Sequence, residues 1–375
     1  MTITNNFILS NENEETQVYD VQGLIYEGKE VISSQANSII YKAVLPNYEN
    51  LALDVSMPQA VAIKLFLYDN KYPYTNIKLS LRESGALQRI KHANVIRFYD
   101  ITQEEDFAFL ALEFIDGIDL GTYLRQLGRP MPVKQSIYYL RQALLGLEAV
   151  HNAGVIHRDI KPENIMLTKN GAIKIIDFTT ALIPGDMYPM VKNNEAIGTF
   201  DYIAPECLEG RANTKESDIY ALGITFYQML TNRMPFNAKS FNDQLKEKFA
   251  GHYTPVNKIV KKAPQVLTAM IDRAICPDPA GRYHNAREFL QDIRQYERTI
   301  DVYSSRYEQQ SDDMLASQIE LMQTQPKIKN DSIKTYNVEE MTKLAQQKMF
   351  GRFTQICLMV SAAATLLILI WGYHS

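Results

Sequence analysis

The stretch His151–Phe178, HNAGVIHRDIKPENIMLTKNGAIKIIDF, decides the reading of this chain. It carries His157-Arg158-Asp159, then Asn164 five residues after the aspartate, then Asp177-Phe178. Pro162 punctuates the short loop between Asp159 and Asn164. Two short apolar runs, Ile165–Leu167 and Ala172–Ile176, flank Asn170-Gly171, the dipeptide that favours a tight hairpin turn. A hairpin there folds Asp177 back towards Asn164 and Asp159. Two carboxylates and an amide, delivered from loop ends beside Lys161, suit a site that holds a divalent metal and a polyphosphate.

Outward from that stretch, 375 residues at 46% hydrophobic are enough to bury a large core. The net charge of -4 gives no basic signature for nucleic acid. Cys207, Cys276 and Cys357 are too widely spaced for a disulfide framework or a zinc site. The first residues, MTITNNFILSNENEET, lack the basic-then-apolar pattern of a secretory signal, and 1–20 reads as a polar arm. From Val21, the runs VQGLIYEGKEVI, SIIYKAVL and QAVAIKLFLY predict three antiparallel strands. The segment between Ala43 and Val61 reads as a surface insertion. Lys64 lies inside the third apolar strand, so its ammonium needs an anionic partner. FAFLAL (107–112) predicts a further strand, and SIYYLRQALLGLEAVHNAG predicts a buried helix with a glycine stop.

These segments resemble a Ser/Thr protein kinase of the bacterial, eukaryote-like kind. The resemblance rests on HRDxxxxN, Asp177-Phe178, Val61-Ala62-Ile63-Lys64 and Gly198–Glu206 (GTFDYIAPE), and runs from Val21 to Tyr296. It implies a two-lobed α+β fold over 21–296, with ATP and Mg²⁺ as cofactors and protein Ser or Thr hydroxyls as acceptors. Under it, Asp159 takes the hydroxyl proton, Lys161 neutralises the transferred phosphate, and Asn164 and Asp177 hold the metal. Thr199 bridges Asp159 and Lys161. Lys64, held by Glu83, grips the ATP phosphates. Ile32, Ser33, Ser38, Ile40 and Ala62 complete the nucleotide site from the first strands. The backbone of Glu113 and Ile115 faces adenine, with Leu112 as gatekeeper. Asp119 is a ribose contact, a helix N-cap, or both. Asp218 binds the catalytic-loop backbone or caps its helix, and Arg282 pairs with Glu206.

The chain departs from the pattern at two places. Ser33, Gln35 and Ser38 replace the three glycines of the phosphate-covering loop, which weakens the expected hold on ATP. Thr179 replaces the glycine after Asp177-Phe178, where a β-branched residue is stiffer. Arg158 is the expected partner of an activating phosphate, and Glu195 is a candidate stand-in for that charge. A non-catalytic scaffold is the alternative that these departures raise.

Residues 297–352 read as a polar tether, either with ASQIELMQ and VEEMTKLAQQKM as short amphipathic helices or flexible throughout. Phe353–Tyr373, FTQICLMVSAAATLLILIWGY, is uncharged and long enough for a bilayer of ~30 Å, which takes about 20 residues. Trp371 and Tyr373 suit an interfacial belt, and Lys343, Lys348 and Arg352 precede the span. The expectation is a single-pass membrane protein with its 21–296 domain in the cytoplasm and no extracellular sensor of its own.

Overall fold

The structure is a computed structural model. It describes residues 9–11, 14–16, 18–34, 38–46, 48, 57–67, 75–104, 107–185, 199–261, 263–300, 319, 320 and 323. Gln35, Glu195, Gly198, the second predicted tether helix and the 353–373 span lie outside them. Among the described residues, no helix is long and apolar enough to cross a membrane.

The first lobe is built on a six-stranded sheet. Its strands are β3 (Val18–Val21), β4 (Leu24–Ser34), β5 (Ile39–Val44), β6 (Ala60–Leu67), β7 (Phe98–Gln103) and β8 (Phe107–Glu113). They are ordered β3-β4-β5-β6-β8-β7, every neighbour antiparallel. A separate hairpin of β1 (Leu9–Asn11) and β2 (Glu14–Thr16) precedes it. The polar arm read over 1–20 therefore needs correction. Tyr19 and Val21 are fully buried, and β3 is an edge strand of the sheet.

Side-chain alternation sorts β6 and β8 onto two faces. Val61, Ile63, Leu65, Phe109 and Ala111 pack with Tyr19, Tyr26 and Met57 in one cluster. Ala62, Phe66, Leu110 and Leu112 face the other way, into the main core. Lys64 shares this second face by period, which turns it towards α1 (Thr75–Leu87) and the cleft.

After β8 the chain forms β9 (Gly117–Asp119) and α2 (Leu120–Leu127). Then comes the predicted long helix, α3 (Val133–Asn152), with Gly154 at φ +75° just beyond its end. The predicted hairpin is β10 (Ile165–Thr168) against β11 (Ile173–Ile175), turning at Gly171, whose φ is +78°. β9 adds to β10, and Gly117 is required there: a Cβ would sit 2.1 Å from the Leu167 carbonyl oxygen.

The second lobe continues with α4 (Pro205–Leu208), α5 (Lys215–Thr231), α6 (Phe241–Ala250), α7 (Val256–Ile259), α8 (Gln265–Ala274) and α9 (Ala286–Ile300). α5 is buried along nearly its whole length and packs against α3, α7 and α8. Within ASQIELMQ, Ile319, Glu320 and Gln323 are helical. Ile319 is buried in the main core, and Gln323 Nε2 donates to Asp116 Oδ1 (3.3 Å) and the Gly117 carbonyl (3.0 Å).

Candidate active site

Lys64 Nζ lies 2.7 Å from Glu83 Oε2 on α1 and 2.9 Å from Asp177 Oδ1. Burial alone would pull its pKa down, but the Asp177 and Glu83 carboxylates outweigh it and hold the ammonium above its ordinary value. Burial would likewise raise Asp177. The Lys64 charge and the bonds from Lys64 and Thr179 instead hold it well below the usual carboxylate range. The Phe178 amide donates to Glu83 Oε1 (3.2 Å), and the buried Phe178 ring packs edge-on against His157 at 4.6 Å. Three elements thus fix Asp177 in the cleft: β6, α1 and the catalytic loop.

Thr179, in the place of the missing glycine, does not carry the left-handed backbone that a β-branched residue tolerates poorly. Only four non-glycine described residues have positive φ, and Thr179 is not among them. The residue that carries the left-handed backbone is Asp177, at φ +62°. Thr179 Oγ1 donates to Asp177 Oδ1 at 2.7 Å, so the hydroxyl supports the strained residue. Lys64 and Thr179 both donate to Oδ1; among the described residues nothing donates to Oδ2.

The catalytic-loop groups converge around Asp159. Lys161 Nζ donates to Asp159 Oδ2 and to Thr199 Oγ1, both at 2.7 Å. The Thr199 amide and hydroxyl reach Asp159 Oδ1 at 3.1 and 3.3 Å. Asn164 Nδ2 donates to the Asp159 carbonyl (2.8 Å) and to Oδ2 (2.9 Å), and among the described residues nothing donates to Asn164 Oδ1. The Ile176 amide donates to the Asn164 carbonyl at 3.0 Å, closing the hairpin onto the loop as its spacing predicts.

Asp218 anchors this loop from below. Its Oδ2 accepts from the His157 amide (2.9 Å) and lies 2.8 Å from His151 Nε2; its Oδ1 accepts from the Arg158 amide (2.9 Å). Burial pushes its pKa up, and the His151 bond and charge pull it below the ordinary value. The N-cap alternative for Asp218 is set aside, because Thr214 and Ser217 cap α5 as a reciprocal box. The loop's own strain sits at Arg158, φ +69°, whose Nε donates to the Thr180 carbonyl at 2.5 Å. Arg282 grips Glu206 through two buried bonds of 2.7 and 2.6 Å.

On the nucleotide side, Ala62 pairs with Leu112 across β6 and β8, and both are buried. Ile40 and Ile115, both partly buried, pack against that core. Among the described residues nothing accepts from the Ile115 amide, while the Glu113 amide is spent on the Arg97 carbonyl (2.8 Å). Ser33 and Ile32 lie within β4, Ser38 is buried ahead of β5, and Ser33 pairs with Ile40. Neither serine has a positive φ, and the β4–β5 register shifts between Val31 and Ser33. Asp119 is an N-cap, accepting from the Thr122 amide and hydroxyl at 2.7 Å each.

Among the described residues there is no cluster of three or more His, Cys, Asp or Glu that could hold a metal. Asn164 Oδ1 and Asp177 Oδ2 offer two hard oxygen ligands, which suits a small cation that takes its remaining ligands from phosphate and water. Sequence reasoning missed Asn94, whose Nδ2 donates to the Ile173 carbonyl (2.8 Å) and ties the first lobe to β11, and it missed Lys248 on α6.

A two-lobed fold with a lysine bound to two carboxylates in its cleft, above a loop ordered by a buried aspartate, is the architecture of a protein kinase. The model of the protein kinase domain matches residues 50–304, and the chain belongs to that family. Among its relatives is serine/threonine-protein kinase PrkC of Bacillus subtilis, 30% identical over 244 residues, which is 65% of this chain and 37% of that protein. Serine/threonine-protein kinase PknB of Mycobacterium leprae is 29% identical over 248 residues, 65% of this chain and 40% of the relative. The chain thus spans about two fifths of the length of the curated relatives it matches. The family match begins after β4 and β5, the two strands whose connection lacks the glycines.

Proposed function

We propose that this chain transfers the γ-phosphoryl group of ATP to Ser or Thr hydroxyls of proteins, using Mg²⁺. The observation that carries the reading is the bonding of Asp159, Lys161, Asn164 and Thr199 into one cluster beneath a paired Lys64. Asp159 Oδ1 and Oδ2 are held by three different residues, which leaves the carboxylate oriented to accept the acceptor hydroxyl's proton. Lys161 lies beside it to offset the negative charge on the phosphoryl group in flight. Lys64 neutralises the phosphates further from the reaction. Asn164 and Asp177 would hold Mg²⁺, which would supply positive charge to offset the negative charge of the phosphates. Ile40, Ala62, Leu112 and Ile115 supply the apolar walls for adenine, and the Ile115 amide supplies a donor to its edge.

The 353–373 segment and the basic residues before it support a second part of the proposal: a single-pass membrane anchor with the kinase domain on the cytoplasmic side. Against the scaffold alternative stands the Thr179 hydroxyl bond that supports Asp177; the replaced glycines at Ser33, Gln35 and Ser38 remain its motive.

The test is label transfer from γ-labelled ATP to a generic basic protein by the full chain in detergent micelles. Wild type should transfer in the presence of Mg²⁺, and Asp159→Asn should lose about 10²–10⁴-fold of the rate, the contribution of a positioned base. Wild type that binds ATP without transferring would sink the reading and restore the scaffold. Membrane flotation of the full chain, lost on deleting 353–373, tests the anchor.

A further inference from the structure

α6 presents one face to the turn that delivers Thr199. Phe241, Gln244 and Lys248 recur at three- and four-residue spacing, and each touches the 200–203 segment. The Phe241 and Phe200 rings lie 4.5 Å apart. Gln244 Nε2 donates to Asp201 Oδ1 (2.7 Å) and to the Phe236 carbonyl (2.9 Å). Lys248 Nζ donates to the carbonyls of Phe200 (3.1 Å), Asp201 (2.9 Å) and Ile203 (2.9 Å). It does so with no solvent exposure, enclosed by the rings of Phe200, Tyr220 and Phe236 at 5.3–5.7 Å.

A buried ammonium ordinarily has a carboxylate beside it. Among the described residues Lys248 makes no ion pair; Asp201 is bonded by Gln244, and Glu206 by Arg282. Its partners are backbone oxygens alone. A methionine would fill the same aromatic box without a desolvation cost, but would leave three carbonyls of one turn without this donor. The lysine therefore contributes the geometry of the turn at the expense of its own hydration. The turn begins at Thr199, which bonds Asp159 and Lys161.

We propose that Lys248 is a positioning residue for phosphotransfer: its ammonium fixes the 200–203 turn, which sets Thr199 against Asp159 and Lys161 and shapes the surface on which the acceptor protein lies. The proposal rests on the phosphotransfer reading above. It predicts a defect in acceptor use that leaves the adenine walls Ile40, Ala62 and Leu112, on the sheet of the other lobe, untouched.

The test uses the full chain in detergent micelles as wild type, Lys248→Met and Gln244→Ala. The Tyr202 and Ile203 amides, which bond back to the Thr199 carbonyl at 2.9 and 3.2 Å, report directly on the turn. In Lys248→Met their hydrogen exchange should quicken about tenfold while α3 exchanges as before. KM for the basic acceptor protein should rise about tenfold with KM for ATP within about twofold of wild type. Gln244→Ala should move both readouts in the same direction by less. A cooperatively melting Lys248→Met with exchange and acceptor KM both unchanged overturns the proposal, as does a rise in ATP KM that parallels the acceptor's. If Lys248→Met does not fold, Gln244→Ala decides by the same criteria. Failure of wild type to transfer phosphate would be failure of the phosphotransfer reading, and the exchange readout would still decide whether Lys248 holds the turn.

Discussion

Lys64 and Lys248 are the same residue type, both buried, one in each lobe, and their surroundings push them in opposite directions. Lys64 has two carboxylates within 2.9 Å, and its ammonium is held above the ordinary lysine value. Lys248 has carbonyl dipoles and ring faces, and burial pulls its pKa down to about 7. Burial penalises both ammonium groups; the carboxylates bonded to Lys64 outweigh that penalty, and the carbonyls bonded to Lys248 do not. A residue that must meet phosphate needs a permanent charge. A residue that only holds backbone in place needs donors.

The largest expected effect breaks the first member of that pair. Lys64→Met leaves Glu83 and Asp177 facing each other with no cation between them. Breaking a buried ion pair from one side costs about 3–5 kcal/mol. Lys248→Met strands carbonyls but no carboxylate, and unmet hydrogen bonds of that kind cost about 1–3 kcal/mol. Chemical denaturation of both variants at pH 7 measures the gap. Equal losses would mean that the carboxylates around Lys64 add nothing beyond hydrogen bonding. Lys64→Met should also lose about 10²–10³-fold of phosphoryl transfer at saturating ATP, the scale of one removed charge-stabilising donor.

The two lysines differed just as sharply in how visible they were in the sequence. Lys64 interrupts an apolar strand, and alternation alone turns it towards the cleft and demands an anion there. Lys248 sits in FNDQLKEKFA two residues from Lys246, which is exposed and salt-bridged to Asp243. Nothing in composition separates the two, because the partners of Lys248 are carbonyl oxygens some 45–48 residues away, and every residue has a carbonyl. The hairpin, α3 and the loop around Asp159 were legible because their signals are local: Asn-Gly, helical periodicity, a fixed five-residue spacing. β3 was not, since four residues with two buried side chains are too short a pattern to separate from a polar arm. Asp218 was legible as the loop anchor, and only the cap alternative falls away, because Thr214 and Ser217 a few residues earlier start α5.

The pH dependence sharpens the comparison. Unfolded Lys248 keeps an ordinary value of 10.5, while the folded value is about 7. Between these the unfolded chain binds more protons at this site, so stability rises with pH there, by up to ~1.4 kcal/mol per unit. The charged or titratable groups that act on it are Asp201, Glu206, Arg282 and Cys207, whose thiol burial pushes up to about 12. The Lys64 contribution is fully present below 10.5 and is lost only above that, because its folded value is raised. The stability difference between wild type and Lys248→Met should therefore grow from pH 7 to 9 in thermal melts. A flat difference would mean that three carbonyls and three rings keep the ammonium charged, and the two lysines would then differ only in their partners.

The smallest effect tests the far end of the Lys64 system. Asp177 carries left-handed backbone at φ +62° and is held by Lys64 from one side and by the Thr179 hydroxyl from the other. Thr179→Val keeps the branching and volume but removes that hydroxyl, at a cost of about 1 kcal/mol, one hydrogen bond to a charged group less what water returns. Because Lys64 still binds Asp177 Oδ1, the aspartate should stay in the cleft, and transfer should fall only about fivefold. Thr179→Gly should fall at least as far, since glycine also frees the backbone that follows a strained residue. Steady-state rates for the two variants separate these contributions. If glycine restored or raised the wild-type rate while valine lowered it, the threonine would be a brake on Asp177 rather than its support, and the hydroxyl bond would belong to a resting state of the enzyme.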